Sequence, residues 1–221
     1  MDFRSSPRPP SQPPTTRLVR FGRVAILFAK RKGGMTAKIY VLAWGSLIWD
    51  PRELKMEGDW QKGGPVLPIE FSRKSMRGNL SLVIDEKNGV EIPVRYCKSG
   101  CASLDEALDN LRIREEAKTP VNMGYIDFVG VRDSERAVRN HPNAVETIRT
   151  WCANKDWSAV IWTALPPNFP EQGSFSPELA RRHLESLQGN IRDRAFEYVR
   201  KAPEEVNTPV RRLVADLVAS K

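Results

Sequence analysis

The sequence predicts an α+β fold, on three observations. Short strand patterns crowd residues 38–97, helical patterns dominate from residue 103 onward, and no internal repeat links the two halves. Strands first and helices last argues for segregated layers rather than a doubly wound parallel sheet. At 221 residues and 40% hydrophobic content, the chain can bury one well-formed core.

The first strand is Ile39 to Trp44, a short apolar run without charge. It breaks at Gly45-Ser46, and Asp50-Pro51 closes the segment with a turn signal. Pro65 to Ser72 reads as a second strand, with Pro68 suggesting an edge or a bulge. Leu80 to Asp85 is a third. Lys87-Asn88-Gly89 carries the Asn-Gly hairpin signal before a fourth strand over Val90 to Tyr96. Ser103 with Glu106 fits a capping box that opens a helix from Leu104 to about Ala117, ending before Pro120. Gly124 to Val131 returns to strand, Asn143 to Lys155 is helical, and Ala159 to Ala164 is a strand. Ser176-Pro177 opens a helix to Leu187, Arg192 to Lys201 is another, and Thr208-Pro209 starts the last.

Residues 1–34 read differently. Met1 to Thr16 is rich in proline, serine and threonine and cannot bury apolar surface, so 1–34 is expected to be a disordered basic extension and 35–221 the folded domain. Met35-Thr-Ala-Lys directly precedes the first strand, which makes Met35 the expected natural start; a basic tail touching RNA or an anionic surface is the other reading. Of the formal charge of +8, +7 belongs to this segment, where eight basic residues face Asp2 alone. The rest is near neutral, so nucleic acid is not an expected partner of the domain. No apolar run reaches the roughly 18 residues needed to span a bilayer, and no secretory cleavage pattern stands out. A cytoplasmic, membrane-free protein is expected. Cys97, Cys101 and Cys152 suit neither a disulfide framework nor a zinc site, so no metal is expected.

Two features point to chemistry. A glycine after a buried strand lets the backbone turn, and successive N–H groups there can cradle a carboxylate or phosphate; a plain strand end is the competing reading. The second feature is Glu115. At about 100° per residue from Leu104, Ala107 falls near −60°, Leu108 near 40° and Leu111 near −20°. Glu115 falls at about 20°, in the middle of this stripe, with Arg114 at about −80° and Glu116 at about 120°. A carboxylate there is costly unless paired or functional, and its burial suits a general base near neutral pH. Alternatively the helix frays after Leu111 and Glu115 meets solvent or Arg112.

With Gly45-Ser46-Leu47 closing the first strand and Arg114-Glu115 ending a later helix, the chain resembles the γ-glutamylcyclotransferase superfamily, including its ChaC-type and γ-glutamylamine branches. The likeness covers roughly residues 36–130; the helical C-terminal region does not map onto it. It implies a small mixed, β-barrel-like sheet with packed helices and a γ-glutamyl substrate. It also implies a substrate-binding loop of Trp44, Gly45, Ser46 and Leu47, Glu115 as general acid/base, release of 5-oxoproline, and no cofactor or metal. Trp44 departs from the family's tyrosine. An indole only donates a hydrogen bond, so either the substrate differs or Trp44 packs against the core. Trp49 and Trp60 line the cleft or merely pack. Arg73-Lys74 and Arg77 read as a solvated face, or as contacts to an acidic substrate group. Ser46 with His141 or His183 lacks a nucleophile elbow. The alternative function is a catalytically silent domain of the same fold that binds a small carboxylate.

Overall fold

The computed structural model describes residues 37–219. The extension and start expected over residues 1–35 lie outside the described residues. The strands are β1 (Ile39–Ala43), β2 (Met56–Gln61), β3 (Val66–Lys74), β4 (Leu80–Ile84), β5 (Val90–Pro93), β6 (Arg95–Ser99), β7 (Met123–Asp127), β8 (Arg132–Asp133) and β9 (Ala159–Thr163). They sort into a six-stranded sheet, β2-β6-β1-β9-β7-β8, and a three-stranded sheet, β4-β3-β5. Only the β1–β9 pairing is parallel among the described strands. The helices are α1 (Leu104–Arg114), α2 (Glu135–Asn140), α3 (Pro142–Cys152), α4 (Pro177–Ser186), α5 (Gly189–Lys201), α6 (Pro209–Leu213) and α7 (Ala215–Ala219). The fold is α+β.

The continuous apolar character of β1 follows from its place near the middle of the large sheet, where both faces are covered. Successive side chains alternate sides. Ile39, Val41 and Ala43 join Ala159 and Ile161 of β9 beneath Ala107 and Leu111 of α1. Leu42 and Trp44 join Val160 and Trp162 on the opposite face. There they meet the small sheet through Leu67, Ile69 and Phe71, and the C-terminal helices through Leu184, Phe196 and Val210. Truncating a fully buried ring such as Phe71 to alanine costs about 3–5 kcal/mol.

Several local expectations change. The sheets do not close into a barrel among the described residues. The chain from Val90 to Ser99 instead bends at Val94, passing from the small sheet to the large one. Pro68 sits in the central strand of the small sheet, not on an edge. Its carbonyl accepts from Asp85 N just past the end of β4, so the missing N–H removes no ladder bond. The Asn-Gly turn does not join neighbouring strands, because β4 and β5 flank β3. Asp85 holds that turn by accepting from Lys87 N and Asn88 N, and a Cβ on Gly89 would lie 2.5 Å from the Pro68 carbonyl carbon. β2 carries no apolar alternation because it is an exposed edge strand with a register shift at Glu57 and Gln61. α2 is short and capped by Ser134, and the expected last helix breaks at Val214 into α6 and α7. No helix of the described residues is long and apolar enough to cross a membrane.

His141, between α2 and α3, is buried. Burial holds its imidazole pKa below the ordinary value, against the opposing pull of Glu86, the Leu165 and Ala164 backbone and Asp85. The unfolded chain therefore takes up this proton first, so stability is lost as pH falls below about 6.5. Urea unfolding at about pH 7 and about pH 5 should show a smaller acid loss in His141→Gln than in the native chain.

Candidate functional site

The parallel pair β1 and β9 points its carboxyl ends at one cavity of about 550 Å³. Crevices beyond such strand ends are common ligand sites, and this volume suits a small molecule. Its wall includes the loop from Trp44 to Leu47, Glu115, and Tyr198 of α5.

Arg114 builds the centre of the site. α1 starts where the Ser103 hydroxyl accepts from Glu106 N, while the Glu106 carboxylate reaches back to Ala102 N. It stops one residue before Glu115, which is its C-cap, so the helix is shorter than the pattern suggested. The side chain turned into the protein is Arg114, only 5% exposed, against 21% for Glu115. Arg114 Nη2 donates to Asp50 O at 2.6 Å and to Ser46 Oγ at 3.1 Å, and Nη1 donates to Glu115 Oε1 at 2.7 Å. One guanidinium therefore ties the helix end, the strand-end loop and the carboxylate together. Glu115 reaches the cavity as a paired anion, not as a lone acid in an apolar stripe. Glu116 is at the surface with Arg52 and Arg77.

The loop is internally braced: Ile48 N donates to Gly45 O and Asp50 N to Ser46 O. Trp44 is buried, and its Nε1–H donates to Leu82 O at 3.2 Å, so the indole packs and crosses to β4 while its edge lines the cavity. Leu47 is buried beneath α1 and also borders the cavity. Trp49 stands edge-on to Tyr198, and Trp60 packs in the cluster beneath α1, away from the cavity lining.

Tyr198 was not legible as a site residue. α5 buries Ala195, Phe196 and Val199 in the core, which presents the neighbouring tyrosine to the strand-end loop. Its hydroxyl accepts from Leu82 N at 3.4 Å and lies against the Ser46 amide, so it stands at the nest expected to receive a carboxylate. Burial pushes the phenol up to about 12, with Glu115 adding to the rise. It is a neutral donor at physiological pH. A Cβ on Gly45 would come within 2.8 Å of this oxygen, so a larger residue here has to push the Tyr198 hydroxyl aside, with no strain from backbone torsion.

Among the described residues, no group of three His, Cys, Asp or Glu side chains could hold a metal. Cys97, Cys101 and Cys152 are buried free thiols, and burial pushes Cys152 up to about 12. His141 is not among the cavity-lining residues, and His183 faces the Gly78 carbonyl.

Two outcomes follow. Arg114→Met leaves the Asp50 carbonyl and the Glu115 carboxylate without their donor, and chemical denaturation should show a loss of about 1–3 kcal/mol. Gly45→Ala should cost more stability in the native background than beside Tyr198→Phe, with a coupling of about 0.5–3 kcal/mol in a double-mutant cycle. A scan of family models and searches of curated proteins and of solved structures find no match to this chain.

Proposed function

We propose that the protein is a γ-glutamylcyclotransferase-like enzyme that releases 5-oxoproline from a γ-glutamyl amine or peptide. The supporting observation is that Glu115 and the Gly45-Ser46-Leu47 loop, read separately as base and carboxylate cradle, line one cavity and share one guanidinium. The substrate's α-carboxylate sits at the loop amides, with the Tyr198 hydroxyl as an additional donor. Glu115 takes a proton from the α-ammonium. The freed amine attacks the γ-carbonyl, forming the ring C–N bond and an oxyanion. Collapse of the oxyanion breaks the bond to the leaving amine, which receives the proton from Glu115, and the ring nitrogen gives its second proton to the regenerated carboxylate, which passes it on to the released amine. Because the nucleophile and the carbonyl belong to one molecule, holding them in a cyclising geometry does much of the work. Arg114 keeps the carboxylate in place across both proton transfers. Three free buried thiols suit a reducing compartment, and we place the enzyme in the cytoplasm.

The second reading, a binding domain without turnover, is favoured by two contacts. Glu115 already receives a hydrogen bond from Arg114, and Tyr198 already stands at the Ser46 amide. Measuring 5-oxoproline release from a panel of γ-glutamyl amines and peptides separates the two. Turnover by the native chain that falls about 10²–10⁴-fold in Glu115→Gln supports acid–base catalysis. Unchanged turnover in that variant removes Glu115 from the mechanism. Saturable binding with no product from any compound leaves the binding domain.

A further inference from the structure

The lining of the same cavity also carries charged and polar residues that the proposed chemistry does not use. Arg73, near the end of β3, is partly buried and lines the cavity. Its Nη1 donates to Pro166 O at 2.6 Å, and it forms no ion pair with an acid of the described residues. Arg136 of α2 is also partly buried, and its Nε is enclosed without a partner. Burial, and then the charge of Arg136, hold the Arg73 pKa below its ordinary value, so the two guanidiniums feel each other's charge. Thr163 and Asn122 line the same cavity, and the Oγ1 of one and the Oδ1 of the other are enclosed without a hydrogen-bond partner. The neighbouring cations are already taken: Lys74 pairs with Glu171, and Arg77 pairs with Glu116.

An arginine does not escape such a site by losing its proton, because its guanidinium stays charged at any physiological pH. Two partly buried guanidiniums that feel each other's charge, with no acid of the described residues paired to either, cost free energy. The cost disappears if a negative group completes the set. A planar guanidinium fork matches the two oxygens of a carboxylate or phosphate better than any other side chain does.

The geometry points to an anion site where Arg73 lines the cavity, in which Arg73 contacts a carboxylate- or phosphate-bearing small molecule, Arg136 adds its charge from outside the lining, and Thr163 and Asn122 supply neutral hydrogen bonds. The Asn122 amide can present its N–H₂ to an anion by rotating end for end. This site holds whether or not ring closure takes place at Glu115, because it rests on different residues.

The test reads binding rather than turnover. Thermal unfolding of the full chain is followed while inorganic phosphate, or separately acetate, replaces chloride at constant ionic strength. A saturable rise in melting temperature with either anion is expected. Phosphate alone acting identifies a phosphoryl ligand, and acetate acting identifies a carboxylate. Apparent affinity should fall by about tenfold or more in Arg73→Met and Arg136→Met. It should be unchanged in Arg139→Met, which removes an exposed charge from the same helix. In chloride alone, Arg136→Met should melt above the native chain, since it removes one uncompensated charge. The proposal is overturned if neither anion shifts the native melting curve beyond the chloride control. It is equally overturned if the shift survives intact in Arg136→Met, a variant that also reports should Arg73→Met fail to fold.

Discussion

The guanidinium of Arg114 is the contact on which the candidate site depends. It is almost fully buried, and it bonds a backbone carbonyl, a hydroxyl and a carboxylate from separate parts of the chain. A charge in that position is tolerable only while its donors are matched, since a buried cation without partners is strongly unfavourable. The requirement runs in both directions. The strand-end loop must place Asp50 O and Ser46 Oγ within reach, and α1 must end where its last residue can meet them. The loop's own turn bonds and the packing of Ala107 and Leu111 under β1 and β9 meet that requirement. The carboxylate of Glu115 is thereby fixed at the cavity by a partner that is itself fixed, which is what the proposed acid–base role demands.

The rest of the molecule serves this junction. The large sheet carries β1 and β9 side by side, so that both end at the cavity. The small sheet forms the far wall through β4, and the C-terminal helices close the space by inserting Tyr198. Two arginines stand in different circumstances beside the cavity: Arg114 is matched by the Glu115 carboxylate, whereas Arg73 forms no ion pair with an acid of the described residues.

Much of this was legible in the chain. The α+β layering, the strands β1, β3, β4, β7 and β9 and the helix caps at Ser103 and Ser176 follow from local pattern, because each of those segments has one dominant local signal. The Gly45-Ser46 break and Glu115 were recognisable for the same reason. The pairing of strands was not legible. Nothing local in Lys87-Asn88-Gly89 says that β5 returns to the far side of β3, and nothing in Pro68 says that its missing N–H faces the end of a neighbour. The role of Arg114 was half visible. The helical wheel puts it at about −80°, beside Ala107 at about −60°, but an arginine at the rim of a stripe ordinarily reaches for water. Only the carbonyl of Asp50 and the hydroxyl of Ser46, brought in by the tertiary fold, hold it inside. Tyr198 lay beyond local reading altogether, since its position depends on how α5 packs.

The Trp44 and Tyr198 contacts have a second effect that is unrelated to any ligand. β4 ends the small sheet, and a strand in that position offers unpaired amide and carbonyl groups to any extended peptide that comes near. At Leu82 the carbonyl is capped by the Trp44 indole and the amide by the Tyr198 hydroxyl. A foreign strand would have to displace two aromatic side chains anchored in the core before it could add to that rim. The side chains that shape the cavity thus also guard the sheet against recruiting a neighbour and growing into an aggregate.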